Sequence, residues 1–171
     1  MKLLFRTEKG VGRMENYEKA LLYAYPALEG VIDAFDAVFL KRALDSYASG
    51  RTALLEAERL IEKIAEKDLY ISLKLKLDRI LEKFTPYERK HFSYKYFKDL
   101  PAEEYENFDA VSRAYFRRQQ KLLLKFAKAL ERAGLTGEWF DRTCMKTDLF
   151  PELLRRIAAR ERSECPYDCQ S

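Results

Sequence analysis

An all-α, multi-helix fold is what this sequence predicts, and three observations carry the prediction. Apolar side chains recur mostly at three- and four-residue steps, the spacing of one helix face. Gly and Pro are few, 6 and 5 among 171 residues, while hydrophobic residues reach 47% and charged ones 35%. Nowhere does an alternating, strand-like run find a second one to pair with. This composition argues against disorder, collagen-like repeats and turn-rich sandwiches, and the length suffices for a sizeable core. The longest apolar runs, such as Ala37-Val38-Phe39-Leu40, are a few residues long, so no helix is expected to span a bilayer. Met1-Lys2-Leu3-Leu4-Phe5-Arg6 lacks a long apolar core and cleavage site, which points away from secretion and toward the cytoplasm.

Taken in order, Glu15 to Tyr25 predicts a first helix interrupted at Pro26, a residue better suited to starting a new helix than to an interior. From Leu28 to Phe39, Leu28, Val31, Ile32, Phe35, Val38 and Phe39 repeat at helical steps, and Ser49-Gly50 closes that element. The next helix starts near Thr52 and carries Leu54, Leu60, Ile61 and Ile64. Leu69, Ile71, Leu73, Leu75 and Leu77 alternate as a strand would. Yet Leu73, Leu77, Ile80, Leu81 and Phe84 continue at helical spacing, so the segment reads as helix. Thr85-Pro86-Tyr87-Glu88 is the sharpest boundary: an N-cap, a proline at the first helical position, and a Glu placed to complete a capping box. A helix bearing Phe92, Tyr96 and Phe97 follows, stopping before Asp99-Leu100-Pro101. Then come a short helix from Pro101 to about Phe108, a long one capped by Ser112 and running to about Ala133, and a stop at Gly134. Residues 138–162 read as one or two short helices, with Pro151 starting the last, and the tail beyond Ser163 is expected to be loose.

The formal net charge of +4 is unevenly distributed. Residues 1–68 hold 11 basic against 12 acidic side chains, residues 69–133 hold 15 against 9, and residues 134–171 hold 6 against 7. An acidic partner is therefore expected at the middle third. There, on helix 112–133, Arg113, Arg117, Lys121, Lys125, Lys128 and Arg132 fall on an arc about 120° wide at 100° per residue. Phe116, Leu123, Phe126, Ala127 and Leu130 collect on the other side as the expected core face, and Leu124 falls inside the basic arc. A helix with an apolar seam and a cationic face suits contact with nucleic-acid phosphates and base edges. The bland alternative is a solvated face, or one neutralised by Glu103, Glu104, Glu106 and Asp109 just before it.

The stretch Phe84–Phe126 resembles the helix-turn-helix of sigma-70 region 4 and its phage-encoded relatives, the ArpU-type regulators. Phe84-Thr85-Pro86-Tyr87-Glu88-Arg89 looks like that family's first helix start, and Tyr94-Lys95-Tyr96-Phe97 like its aromatic helix end. Pro101-Ala102-Glu103-Glu104-Tyr105 looks like its short helix, and Val111-Ser112-Arg113-Ala114-Tyr115-Phe116-Arg117-Arg118 like its recognition helix. The steps from Tyr105 to Val111 and from Val111 to Phe116 match the family's buried positions. The sequence departs from the pattern in three places. Glu106 replaces a small residue, Ala110 replaces the turn glycine, and Asp109 replaces a leucine whose role Phe108 takes one residue early. The resemblance implies a helix-turn-helix unit at 85–133, between an N-terminal helical region (1–84) and a C-terminal appendage (134–171). It implies a non-enzymatic transcriptional regulator that places helix 112–133 in the DNA major groove. Ser112, Arg113 and Arg117 would lie nearest the bases, and Arg118, Lys121, Lys90 and Lys98 on phosphates. Double-stranded DNA is thus the implied partner, with RNA polymerase and a second copy of the chain as further ones. A helical protein-binding module on the same scaffold, reading no DNA, is the alternative.

Other chemistry finds little support. Glu88-x-x-His91 has the spacing of di-iron bundles, but His91 is the only histidine and no second pair exists. Glu88 is more simply a cap. Cys165-x-x-x-Cys169 lacks the remaining ligands of a zinc set and reads as two spare thiols of a reduced tail; with Cys144 the three cysteines are too few to staple the fold. No triad or phosphate loop is visible, so neither cofactor nor metal is expected. The 11 Tyr and 11 Phe, crowded around Tyr70, Tyr87, Phe92, Tyr94, Tyr96 and Phe97, suit either a core or the stacking of single-stranded bases.

Overall fold

A computed structural model describes residues 16–49 and 53–164, and every described element is helical. The elements are α1 (Tyr17–Ser49), α2 (Ala53–Leu81), α3 (Pro86–Phe92) running into a π-helical turn (Ser93–Phe97), α4 (Ala102–Glu106), α5 (Arg113–Arg132), α6 (Gly137–Thr143) with a 3-10 turn (Cys144–Lys146), and α7 (Leu149–Glu164). The all-α expectation is met, including the ambiguous stretch at 69–77, which lies inside α2. The Glu15, Gly50 and Thr52 boundary signals, the N-terminal lead, the Cys165/Cys169 pair and the tail from 165 lie outside the described residues.

Two compact units share these elements. One takes Tyr25–Phe84, and the other takes the described residues up to Ala24 together with those from Thr85 onward. Within Tyr25–Phe84 the chain makes an antiparallel helical hairpin. The Tyr25 hydroxyl donates to Asp78 Oδ1 at 2.6 Å, and eleven residues on, Lys67 Nζ reaches Asp36 Oδ1 at 2.6 Å. Each step along α1 is thus matched by an equal step back along α2. Tyr70, Leu73, Leu77, Ile80 and Leu81 of α2 are buried, and so is Leu28 of α1.

Pro26 does not divide α1, contrary to the expected break; it stands inside one 33-residue helix. A proline there forfeits one backbone hydrogen bond and crowds the preceding turn, costing about 3 kcal/mol. Leu21, Leu22 and Leu28 on either side are wholly buried, and at about 1.5–3 kcal/mol each they outweigh that cost.

In the second unit α5 is the axis. Phe126 and Leu130 are fully buried, with Phe92 against Phe126 at 5.9 Å between ring centroids. The α1 start joins through Tyr17 on Phe140 (5.7 Å) and Tyr23 edge-on to Tyr96 (4.9 Å), while Phe140 meets Phe150 of α7 at 5.3 Å. Lys19 of α1 pairs with Glu161 of α7. Cys144 is fully buried, and loss of solvation pushes its thiol up to about 12, so it stays protonated.

Glycine marks the end of α5. Gly134 has φ +77, Leu135 N–H reaches back to the Leu130 carbonyl at 2.9 Å, and Gly134 N–H to that of Glu131 at 3.0 Å. This is a Schellman stop, sealed by the buried pair Leu130 and Leu135. By contrast Gly30 lies in the exposed interior of α1, and a Cβ there would meet nothing within 4 Å. Gly134→Ala is expected to cost about 1 kcal/mol or more, because an L-residue is strained at that φ. Gly30→Ala is expected to add about 0.5–1 kcal/mol through helix propensity. Urea unfolding midpoints of the two variants should therefore move in opposite directions.

Candidate nucleic-acid interface

The first boundary folds as its residues dictate. Glu88 N–H donates to Thr85 Oγ1 at 3.2 Å, Thr85 N–H donates to Glu88 Oε2 at 2.9 Å, and Pro86 opens the helix. The Glu88 carboxylate does more than cap, since Lys125 of α5 donates to both of its oxygens at 2.7 and 2.8 Å. Partial burial works against ionisation of Glu88, but the bonds from Lys125 and Thr85 prevail and hold it below its ordinary range. α3 continues through the π-helical turn and ends at Lys98, whose φ of +57 turns the chain.

The link from α4 to α5 replaces the glycine turn of the resembled pattern by side-chain capping. Asn107 Nδ2 donates to the Glu103 carbonyl at 2.9 Å, and Ser112 N–H donates to Asp109 Oδ1 at 3.2 Å. Hydrogen bonds from Ser112 hold the Asp109 carboxyl below its usual value. Among the described residues only Lys98 and Gly134 have positive φ, so Ala110 fills its place without strain. Ser112 then caps α5, its Oγ accepting from Tyr115 N–H at 3.2 Å.

The face that α5 buries differs from the expected one. Tyr115, Gln119, Leu122, Phe126 and Leu130 form the seam, whereas Phe116 is 57% exposed and Leu123 and Ala127 are only half-buried. Val111, expected inside, is 89% exposed. Phe108 takes the inner position instead, stacking on Tyr94 at 4.3 Å and 11°, with Tyr115 edge-on to it. With that slot filled, Val111 points out and α5 turns Tyr115 inward. Exposed Phe116 and Leu124, with Leu123 and Ala127, border a groove of about 560 Å³ that Glu18 and Lys95 also line.

On the opposite side stands the basic row. Arg113, Arg117, Lys121, Lys128 and Arg132 are exposed and make no ion pair among the described residues; only Lys125 is tied, to Glu88. Arg118 donates to the Tyr87 hydroxyl at 2.5 Å and lies over that ring. Lys90 pairs with Glu104 at 2.7 Å. Lys98 donates to the Tyr94 carbonyl at 2.9 Å and sits over the Tyr94 and Tyr105 rings. Of the seven side chains singled out from sequence, then, Arg113, Arg117 and Lys121 present free cations. Ser112 caps the helix ahead of them, and Arg118, Lys90 and Lys98 hold contacts within the chain. Among the described residues no group of three or more His, Cys, Asp or Glu could hold a metal, and no helix is long and apolar enough to cross a membrane. No protein-family model matches the chain, and no curated protein or solved structure matches it.

Behind the row lies a residue that sequence reading undervalued. His91 is 2% exposed, with Tyr87 and Phe108 edge-on at 5.0 Å and Tyr115 stacked at 6.0 Å. Neither ring nitrogen has a hydrogen-bond partner among the described residues, though Gln119 Nε2 donates to the His91 carbonyl at 3.3 Å. Loss of solvation, with the nearby Arg118 charge, lowers its pKa. The unfolded chain therefore binds a proton more readily than the folded one. The stability contributed by neutral His91 is complete above the ordinary histidine value of about 6.5 and is lost as pH falls through the lowered one. Urea midpoints are expected to drop between pH 7.5 and about pH 5, and His91→Phe to flatten that drop.

Proposed function

We propose that this chain is a DNA-binding transcriptional regulator that lays the basic side of α5 on duplex DNA, N-terminal end foremost, acting in the cytoplasm. The observation that carries the reading is the row of five exposed, unpaired cations along one side of α5, held out by a buried seam on the other. Phosphates would be bound by Lys121, Lys128 and Arg132, while Arg113 and Arg117, nearest the capped end, would face base edges, where arginine donates twice to guanine. Ser112 would add the free N–H groups of a helix N-terminus to a phosphate. Arg118, Lys90 and Lys98 would give up or share their present partners to join them. The likeness to sigma region 4 proteins of phages supports the same role and makes RNA polymerase and a second copy of the chain the expected partners. A second reading, a protein-binding module without DNA readout, is favoured by the apolar groove beside Phe116 and Leu124.

Fluorescence anisotropy on random duplexes separates the two. With about five phosphate contacts, affinity is expected to fall two to three orders of magnitude between roughly 50 and 200 mM salt. Arg113→Ala with Arg117→Ala is expected to abolish binding while leaving helix content unchanged. Absence of salt-sensitive binding at low ionic strength would leave only the protein-binding role.

A further inference from the structure

The α2 helix carries two apolar stripes, and the fold uses one. Tyr70, Leu73, Leu77 and Ile80 are buried. On the far side, Leu54, Ala57, Ile61, Ile64, Asp68, Ile71 and Leu75 follow one another at alternating steps of three and four residues, and all seven are exposed. Leu54 is 73% exposed, Ile61 66%, Leu75 54%, Ile64 48% and Ile71 36%. This is the a/d spacing of a coiled-coil seam, sustained over 22 residues and hence about 33 Å of helix. Single exposed leucines are ordinary, but a heptad row broken only by Asp68 and left in water marks a surface built for another helix.

The charges beside the stripe specify which helix. Glu58 flanks its N-terminal end and Arg79 its C-terminal end, both at the e position beside the seam. Neither makes an ion pair among the described residues. Two such helices laid parallel would set like charges together, whereas an antiparallel pair sets acid against base at both ends. In one register, centred on Asp68, Ile61 meets Leu75 of the other copy, Ile64 meets Ile71, and Glu58 meets Arg79. We propose that the outer face of α2 is a self-association surface, pairing antiparallel with the same face of a second copy of this chain. Each hairpin supplies two helices, and because the two stripes of α2 lie on opposite sides, the product is a four-helix layer in the order α1, α2, α2, α1. Asp68 is the one misfit. It meets its own copy at the dyad, where like charges cost affinity while fixing the register, as polar a-position residues do. The pairing holds whether or not α5 binds DNA.

Sedimentation equilibrium of the full chain, from low to high micromolar concentration, tests it. A reversible dimer is expected. Ile61→Ser with Ile64→Ser should give a monomer with unchanged far-ultraviolet circular dichroism, since both side chains are exposed. Glu58→Arg alone, or Arg79→Glu alone, should weaken the dimer about tenfold, because each repels twice across the dyad. The two together should return it to within about threefold of the parent. Asp68→Leu should tighten it. A chain that stays monomeric throughout, a dimer indifferent to Ile61 and Ile64, or a charge-swapped double variant no better than the singles would overturn the proposal; the second result would assign association to another surface.

Discussion

Everything on the functional side of this protein turns on the narrow seam of α5. Tyr115, Gln119, Leu122, Phe126 and Leu130 lie within a thin stripe, and a helix that must bury them has no freedom left to rotate. Burying Phe126 and Leu130 contributes about 1.5–3 kcal/mol each, whereas an exposed ion pair such as Lys125 with Glu88 contributes about 0–1 kcal/mol. The oily side therefore decides the rotation, and the charged side follows. The ends are set with equal economy. Ser112 caps the start and Gly134 stops the end, so the row of cations begins and finishes where the helix does.

Much of this was legible in the residues. The Thr85–Glu88 capping box, the Ser112 cap and the Gly134 stop each rest on local chemistry that needs no tertiary partner, and each stands where the sequence placed it. What sequence could not settle was which of two adjacent aromatics turns inward on α5. Tyr115 and Phe116 differ by one hydroxyl and 100° of rotation, and periodicity alone favoured Phe116. The choice is made by His91, Tyr94 and Phe108, which form the ring cluster that Tyr115 completes. Such a cluster is assembled from three separate elements and leaves no periodic trace. The same limit applies to Pro26, since its cost is visible locally and the burial that offsets it is not.

The strand-like alternation at 69–77 has a physical explanation that neither a strand nor a one-sided helix provides. Leu73 and Leu77 belong to the buried stripe of α2, and Ile71 and Leu75 to the exposed one. Two helical stripes on opposite sides, offset by two residues, interleave into a period of two over a short window. An alternating apolar run inside a long helix is thus the trace of a helix with apolar side chains on two sides, one buried within the chain and one exposed.

The acidic residues before α5 show why nearness in sequence is a poor guide to neutralisation. Four carboxylates precede the basic row, and electrostatics at a distance would have them cancel it. In the fold Glu104 holds Lys90 and Asp109 holds the Ser112 N–H, both local structural duties. Glu103 and Glu106 are exposed and make no ion pair among the described residues. Glu88, already oriented as a cap, does reach the row, and it takes Lys125 near the middle of α5. At physiological ionic strength exposed charges farther apart than about 8 Å hardly feel each other, so what matters is which cations are in contact with an anion. By that measure Arg113, Arg117 and Lys121 before Lys125, and Lys128 and Arg132 after it, are all uncompensated, and the first three stand on the turns that a groove-entering helix presents first.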